Sequence, residues 1–347
     1  MSRKRVTQAD VAQRAGVSQA AVSQILGGDP AEVAAFRDST RQRVLQAAQE
    51  LGYAPSMLAR ALRTNRTMTI GVILRWITDE LSLRVARGIQ TVAHERGYTI
   101  LIGDTEQNAQ LETRLLDRFS QHQVDGLIFI DSWSDLDYLF ESDDYPPTIA
   151  VNLRNSMGPR NCVAMDHVRA GYEATRHLLD LGYRLVAHIS GPEDWDAAQE
   201  RLEGYRRALE DYGIPFNPDL VIHGDWKMET GMAATDRLLD RFPQLRAIFC
   251  ANDILAAGAL HTAMRRGRRI PQDLALVGYD DRRFARYLYP ALTSYALPLN
   301  MMGQKAAHLL IDGLLANGET TVPSIAVPGT LSVRASCGSL PVPGGLP

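Results

Sequence analysis

The chain has 347 residues, a formal net charge of −3, 45% apolar and 22% charged residues, and three cysteines. This composition is typical of a globular protein with more than one core, and the three widely spaced cysteines exclude a disulfide-rich scaffold. No apolar run approaches the roughly 18 residues of a membrane helix, and no hydrophobic leader begins the chain, so we expect a cytoplasmic protein without a membrane partner.

The charge is unevenly distributed along the chain. Residues 1–66 carry ten basic and five acidic residues, a net charge of +5, which leaves −8 for the remainder. The basic N-terminal segment suits a module that binds phosphate groups, and the acidic body suits a module that does not.

The stretch from residue 6 to residue 28 predicts two short helices around a tight turn. Thr7 can cap the first helix in a capping box with Asp10, and Gly16 can supply the left-handed residue that ends it. Ser18 can cap the second helix, whose apolar residues recur at i, i+3 and i+4 and should pack inward. The open face of this helix is then polar and uncharged, with Gln19, Ala20, Ser23 and Gln24. Such a helix fits the major groove of DNA, where Gln can bond an adenine edge and Ala can touch a thymine methyl.

The pattern T-x-x-D-V-A-x-x-A-G-V-S-x-x-x-V-S runs through this stretch without a gap. It resembles the DNA-binding head of the lactose repressor (LacI/GalR) family. The resemblance implies that a homodimer binds a pseudo-palindromic double-stranded DNA operator and responds to a small-molecule effector. Gln24 stands where the family usually has Arg, and Gly27 where Asn is usual, so the family's commonest operator is not expected. An ordinary helical hairpin in a globular core is the structural alternative.

Two further segments complete the N-terminal region. Residues 28–36 are predicted to form a loop, and residues 38–51 a third helix that ends at Gly52. The predicted apolar face of the third helix consists of Val44, Leu45, Ala48 and Leu51, and its Arg41 and Arg43 are candidates for phosphate contacts. The following segment resembles the family's hinge helix, which implies that Leu62 enters the minor groove and that Ala59 lines the approach. A plain linker is the alternative.

From residue 69 onward, short β-rich runs alternate with amphipathic helices. The predicted strands cover residues 70–74, 98–104, 124–131, 147–153, 184–191, 220–226, 247–253 and 274–280. Because these strands are apolar along their length and separated by helices, we expect parallel sheets covered on both faces. The body is longer than a single hydrophobic core usually accommodates, so it should form two lobes. It resembles a periplasmic sugar-binding protein.

The predicted fold is therefore an N-terminal all-α helix-turn-helix head followed by a two-lobed, periplasmic-binding-protein-like α/β body with parallel sheets. The predicted divisions are a head at residues 1–53, a hinge at 54–66, a body at 67–338 and a disordered tail at 339–347. One lobe should comprise residues 67–165 and 297–326, and the other residues 166–296 and 327–338. The Pro/Gly-rich tail has no leucine heptads, so a homodimer rather than a larger assembly is expected.

Polar residues follow the predicted strands, where ligands bind in open parallel sheets. Carboxylates, amides and an indole together suit a neutral polyhydroxylated ligand, and Asn152 is one member of this set. The family motifs R-x-x-G-[FYW], A-N-D and G-[FY]-D-D match at Arg201, Asn252 with Asp253, and Asp280. The resemblance implies that Arg201 and Asp280 reach the effector and that Trp226 covers it. Asp253 could equally be structural, and Arg201 could instead form a salt bridge.

The first lobe gives a weaker signal. Residues 78–82 stand where the family often has aromatic residues that face the pocket, so those rings are expected to be absent from this side of it. A more polar or a larger ligand would then fit.

Three functions remain open at this point. The sequence favours a repressor that responds to a ligand, a sugar or a related metabolite, and the alternatives are a sugar-binding protein whose head no longer binds DNA and an enzyme that uses the strand-end acids. The histidines lack metal-ligand spacing, and no nucleophile-elbow, phosphate-loop or dinucleotide motif is present, so no catalytic residue, metal or cofactor is expected. Salt-dependent DNA binding or turnover of a bound sugar would discriminate between the three.

Overall fold

The computed structural model describes residues 6–27, 30–54, 61, 64–132, 136, 139, 144–152, 161–316 and 323–338. The chain divides into two compact units. The first contains the residues up to 69 together with 123–125, and the second contains residues 70–122 and the chain from 126 onward. The predicted tail and most of the predicted hinge lie outside the described residues.

The first unit contains the predicted helix-turn-helix. Helix α1 (Gln8–Ala15) begins with a complete capping box, in which the Thr7 N–H donates to Asp10 Oδ2 at 2.8 Å, and it ends at Gly16 with φ of 66°. In α2 (Gln19–Gly27) the N–H of Ala21 donates to Ser18 Oγ at 3.2 Å. The capping and turn predictions are therefore confirmed.

Two local predictions in this unit are wrong. The expected loop at residues 28–36 contains a short helix, α3 (Pro30–Ala34), because Pro fits the first turn of a helix and the residues after it are compatible with helical structure. In α4 (Asp38–Leu51), which ends at Gly52 as predicted, Leu45 is 55% exposed, and Ala47 faces the core instead. The core of this unit consists of Val11, Ala12, Ala15, Val22, Ile25, Val44, Ala47 and Ala48.

The second unit contains two six-stranded sheets. The sheet of the first lobe has the order β11-β5-β4-β3-β1-β2, and the sheet of the second lobe has the order β12-β10-β9-β8-β6-β7. The first-lobe strands are β1 (Thr69–Leu74), β2 (Thr99–Asp104), β3 (Gly126–Ile130), β4 (Thr148–Val151), β5 (Cys162–Met165) and β11 (Ile325–Val327). The second-lobe strands are β6 (Val186–Ile189), β7 (Val221–Ile222), β8 (Ala247–Cys250), β9 (Ala275–Asp280), β10 (Thr293–Ala296) and β12 (Thr330–Ser332).

Helices cover these sheets, as expected for parallel strands. They are α5 (Glu80–Glu95), α6 (Ala109–Gln121), α7 (His167–Asp180), α8 (Asp196–Asp211), α9 (Met228–Arg241), α10 (Asp253–Arg265) and α11 (Leu299–Leu315). The expected parallel pairing is confirmed along both sheets, whereas β12 pairs with β10 in the antiparallel sense. Strands β5, β10 and β11 were not predicted, and each ends at or next to a predicted lobe boundary, at residues 165, 296 and 326.

The chain passes between the lobes three times. The passages follow β5, β10 and β11, and the third lies between Val327 and Thr330, one residue beyond the predicted boundary. Residues at the carboxyl ends of strands in both sheets, such as Asn152 after β4 and Asp280 at the end of β9, line one shared cleft. No helix among the described residues is long and apolar enough to cross a membrane.

Candidate functional site

The proposed reading face of α2 is accessible. Ser18, Gln19, Ala20 and Gln24 are exposed and Ser23 is partly exposed, while Thr7 is exposed at the start of α1. Val22 and Ile25 hold the opposite face of α2 in the core. The structure thus presents a polar, uncharged helix face of the kind that enters a major groove. The two hinge residues of the prediction, Ala59 and Leu62, lie outside the described residues.

Of the two predicted phosphate contacts on α4, Arg41 makes a salt bridge with Asp38 one turn earlier in the sequence. Arg43 is exposed. Arg14 of α1 bonds Glu50 of α4, so it helps to fix α1 against α4.

The second unit has a cavity of about 700 Å³ between its lobes. Five of the six predicted effector residues line it: Asn152, Arg201, Trp226, Asn252 and Asp280. The sixth, Asp253, lies behind the cavity wall. The volume falls within the range of small-molecule sites, which is roughly 300–1,000 Å³.

The backbone adopts a left-handed conformation at three strand ends that line the cavity. The φ values are 53° at Asp131, 51° at Asn152 and 103° at Asp280. Asp and Asn tolerate this conformation better than other L-residues, which gives a local reason for their presence here. The turn at each strand end places its polar side chain at the cavity.

Arg201 of α8 is buried at the cavity wall, with 7% of its surface exposed. Its Nη1 donates to the carbonyl oxygen of Ala251 at 2.7 Å, and its guanidinium lies 3.8 Å from the ring centroid of Tyr279. The guanidinium also lies 5.4 Å from the ring centroid of Trp226. These contacts fix the cation in one position and leave it facing the cavity without a carboxylate salt bridge among the described residues.

His167, at the start of α7, is neutral in this setting. Burial and the charge of Arg201 hold the pKa of His167 well below its usual value. Its Nδ1 lies 2.7 Å from the Tyr279 hydroxyl and 3.4 Å from Arg201 Nε. Since Arg201 can only donate, Nδ1 is the acceptor and the ring proton lies on Nε2.

Two cavity carboxyl groups have raised pKa values. Burial, and next the charge of Asp79, raise the pKa of Asp131 to about 7. Burial raises the pKa of Asp280 to about 6, opposed by the charges of Arg282 and Arg201. Both groups can therefore accept hydrogen bonds as carboxylates near neutral pH or donate one when protonated, which suits hydroxyl groups on a ligand.

Asp253 has a structural environment. It is fully buried, its Oδ2 accepts from the Arg282 N–H at 2.7 Å, and its Oδ1 accepts from Ser294 Oγ at 2.5 Å. Burial, then the charge of Asp280, raise the pKa of Asp253 to about 8. The side chain ties α10 to the segment after β9 rather than entering the cavity.

Asn252 and Trp226 form a connected part of the wall. Asn252 caps α10 by accepting from the Leu255 N–H at 2.7 Å, and its Nδ2 lies 3.5 Å from the Trp226 carbonyl oxygen. The six-membered ring of Trp226 packs against Gly191, where any Cβ would overlap it. The buried indole N–H of Trp226 has no acceptor among the described residues, so a ligand oxygen could accept from it.

The first lobe places an aromatic ring at the pocket, although residues 78–82 contain none. Trp76, which directly follows β1 and Arg75, lines the cavity and is 47% exposed. The signal was present in the sequence, two residues before the segment that we compared with the family. Trp195 of the second lobe also lines the cavity and was missed.

Contacts between the lobes were also missed, and they border the cavity. Arg282 Nη1 bonds Asp79 Oδ1 at 3.0 Å, and the Arg283 N–H donates to Glu80 Oε1 at 3.2 Å. The Arg75 guanidinium lies 4.7 Å from the ring centroid of Trp195. These pairs join residues that are far apart in the chain, so no local pattern predicts them.

Comparison with known proteins covers both units of the chain. Residues 7–56 match the family described as bacterial regulatory proteins, lacI family, and residues 175–337 match the periplasmic binding protein-like domain. Catabolite control protein A of Priestia megaterium is 33% identical over 95% of this chain and 99% of its own length. The transcriptional regulator CelR of Thermobifida fusca is 35% identical over 96% of this chain and 99% of its own length.

Solved structures give the same result. A CelR–cellobiose complex has a TM-score of 0.70 at 30% identity and covers 96% of this chain and 100% of the other. The Lac repressor bound to ONPG in its repressed state has a TM-score of 0.82 at 25% identity, with the same coverage. Relatives at this identity extend over nearly the whole chain, through the helix-turn-helix and both lobes. The chain therefore belongs to the LacI family of bacterial regulatory proteins.

Proposed function

We propose that this chain is a transcriptional repressor that binds operator DNA as a homodimer and that a sugar-like effector in the interlobe cavity sets its affinity for DNA. The observation that carries the proposal is the alignment with transcriptional regulators along both the head and the body, over 95% of this chain. A head alone would indicate DNA binding, and a body alone would indicate ligand binding. Their combination in one chain favours control of the first by the second.

The DNA contacts are assigned to the head at residues 1–53. Gln19, Ala20, Ser23 and Gln24 read base edges, while Thr7 and Ser18 lie at helix N-termini that suit phosphate contacts. The hinge at residues 54–66 contributes Ala59 and Leu62 in the central minor groove. Two heads read two half-sites, because one short helix contacts too few bases.

The effector contacts are assigned to Asn152, Arg201, Trp226, Asn252 and Asp280, with Asp253 in a supporting position. Buried carboxyl and amide groups bond hydroxyls, while the indole covers an apolar ring face. Related structures contain cellobiose in CelR and ONPG in the Lac repressor. The body at residues 67–338 then changes the spacing of the two hinges when the ligand closes the lobes.

The cavity binds its ligand without chemical turnover in this proposal. Related proteins act as regulators, and the cavity carboxyl groups of Asp280 and Asp131 lie within hydrogen-bond distance of the Arg282 and Ser82 side chains. The proposed site of action is the bacterial cytoplasm, where the operator lies. A product formed from a bound sugar would contradict this part of the proposal.

The head is tested by selecting DNA sequences from a random pool with the full chain and then measuring affinity by fluorescence anisotropy. Gln24→Ala should weaken binding to the selected site by about 1–3 kcal/mol, because it removes one base contact. Gln49→Ala, an exposed residue of α4 away from the reading face, is the matched control and should leave affinity unchanged. Equal effects of the two substitutions, or no selected sequence, would contradict the proposal.

A further inference from the structure

The guanidinium of Arg201 is held in place at three points. Its Nη1 donates to the carbonyl oxygen of Ala251 at 2.7 Å, and the ring of Tyr279 lies against it. The third point is His167, whose Nδ1 lies 3.4 Å from both Nε and Nη2 of Arg201. An Arg side chain has five N–H donors, more than these contacts use, so the remainder can bond a ligand in the cavity.

The imidazole of His167 is itself oriented by a neighbour. The Tyr279 hydroxyl lies 2.7 Å from His167 Nδ1. Burial raises the pKa of Tyr279, so the hydroxyl keeps its proton and donates it to Nδ1. Nδ1 is therefore the acceptor for both Tyr279 and Arg201, and the ring proton of His167 lies on Nε2. Tyr279 thus supports Arg201 twice, through its ring and through the imidazole that its hydroxyl orients.

Helix packing sets the distance between His167 and Arg201. His167 is the first residue of α7, which Asp166 caps by accepting from the Arg169 N–H at 2.9 Å. One turn later, Gly171 lies against the backbone of Arg201 in α8, where an added Cβ would come within 2.3 Å of the Arg201 carbonyl oxygen. The two side chains are therefore brought together before a ligand arrives, which lowers the entropy cost of binding.

We propose that His167 is a positioning residue of the effector site, and that its Nδ1 holds the Arg201 guanidinium in the orientation that binds the effector. The inference rests on the proposed function in taking Arg201 as an effector contact. It goes further by giving a role to a residue outside the predicted set. His167 also lines the cavity, so a direct bond from its Nε2–H to the ligand is the competing explanation. The two explanations depend on different ring nitrogens, which can be replaced one at a time.

Three substitutions of His167 separate the two nitrogens. The side-chain oxygen of Asn is bonded to Cγ, as Nδ1 is, so His167→Asn keeps an acceptor for Arg201. The amide nitrogen of Gln lies one bond further out, so His167→Gln keeps a donor near the position of Nε2. His167→Leu keeps neither group.

The first measurement needs no ligand. NMR of the full chain with isotope-labelled arginine follows hydrogen exchange of the Arg201 Nε–H, which is identified by its loss in Arg201→Lys. Exchange should be about ten-fold faster in His167→Gln and His167→Leu, as expected for the loss of one hydrogen bond to a charged group, and unchanged in His167→Asn. If a His167 variant fails to fold, Tyr279→Phe, which removes only the hydroxyl that orients the imidazole, should accelerate the same exchange.

The second measurement is calorimetric titration of the same variants with cellobiose, lactose, glucose and galactose. His167→Leu and His167→Gln should bind the preferred sugar about ten-fold more weakly, and His167→Asn should restore the affinity. His261→Leu, at an exposed position of α10, is the control and should change neither exchange nor affinity.

Two results would each overturn the inference: unchanged exchange of the Arg201 Nε–H in His167→Leu and Tyr279→Phe, or affinity restored by Gln and not by Asn. Failure of the original chain to bind any sugar of the panel would instead count against the proposed sugar effector. The exchange measurement tests the role of His167 in that case as well, because it is made without a ligand.

Discussion

At the scale of single residues, the position of Trp226 depends on the absence of a side chain at Gly191. A Cβ at Gly191 would overlap three atoms of the six-membered ring, so the indole would have to move. We expect Gly191→Ala to lower effector affinity ten-fold or more, which corresponds to about 1.4 kcal/mol. Calorimetric titration with the effector measures this change.

The neighbouring Glu193→Ala provides the control, since Glu193 is exposed on the same loop. It should bind the effector like the original chain. If Gly191→Ala bound equally well, the indole would not depend on Gly191 for its place at the ligand.

The buried carboxyl group of Asp253 predicts a pH dependence of stability. The pKa of Asp253 is raised to about 8 from its usual value of 3.8. Between these two pH values the Asp253 carboxyl group is protonated in the native state and ionised in the unfolded chain. The stabilisation is complete below pH 4 and is lost as the pH rises to about 8. Asp253→Asn, which mimics the protonated form, should flatten this decline.

Urea unfolding at pH 5, 6, 7 and 8 measures the effect, at about 1.4 kcal/mol for each unit of pKa difference. Asp131 and Asp280 have raised pKa values as well, so the free energy of unfolding of the variant should still fall somewhat as the pH rises. Asp117→Asn, at an exposed position of α6, is the control. Parallel profiles for the original chain and Asp253→Asn would rule out this role of Asp253.

Residue types could be predicted at the strand ends, but the direction of each side chain could not. The motif around Asn252 and Asp253 places both after β8, yet Asn252 lines the cavity and Asp253 turns towards Ser294. That choice depends on β10, forty residues further along the chain. Trp195 was missed for a similar reason, since its partner Arg75 belongs to the other lobe.

At the scale of elements, three helix pairs approach each other closely through glycine. In each pair a glycine lies against the backbone of the facing helix: Gly171 and Gly204 in α7 and α8, Gly88 and Gly303 in α5 and α11, and Gly231 and Gly258 in α9 and α10. The same contact recurs in both lobes. It allows backbones to meet where any Cβ would separate the helices.

Gly204→Ala tests this contact. Its Cβ would overlap the carbonyl oxygen of Val168 and the backbone nitrogen of Tyr172, neither of which can rotate away. We expect the free energy of unfolding to fall by about 1–3 kcal/mol. Chemical denaturation measures it, with Glu210→Ala at an exposed position of α8 as the control. A gain in stability from the higher helix propensity of Ala would show that the helices are free to separate.

The long helices of this chain follow from its sequence, whereas some of the short elements do not. Helix α4 has the predicted ends because Gly52 supplies the left-handed cap. Its inner face was partly misjudged, since Leu45 is 55% exposed whereas Ala47 and Ala48 are both buried. Strand β5, which ends at a predicted lobe boundary, was not predicted, although β4 is equally short and was predicted.

At the scale of the whole body, contacts across the cleft should favour the closed arrangement of the lobes. Asp79 bonds Arg282 at 3.0 Å, with side chains 22% and 16% exposed. Asp79 also caps α5 by accepting from the Ser82 N–H, and Asn can keep this cap while it removes the charge. Asp79→Asn should therefore weaken effector binding without loosening α5.

A double-mutant cycle with Arg282→Gln measures the coupling between the two side chains, expected at about 0.5–3 kcal/mol in effector affinity. Asp104→Asn, a polar residue of the same lobe that does not line the cavity, is the control. Additive losses in the cycle would mean that the pair does not support closure. The two-lobed architecture was predicted from the order of strands and helices, whereas contacts such as this one depend on how the lobes meet.

The most direct test of the whole account is a titration of the operator complex with the effector. The full chain should bind the selected operator in a salt-dependent manner, and the effector should change that affinity. Arg201→Ala should keep the affinity for DNA and the melting temperature of the head but lose the response to the effector. An effector response that persists in Arg201→Ala, or DNA binding that is insensitive to both salt and effector, would contradict the account.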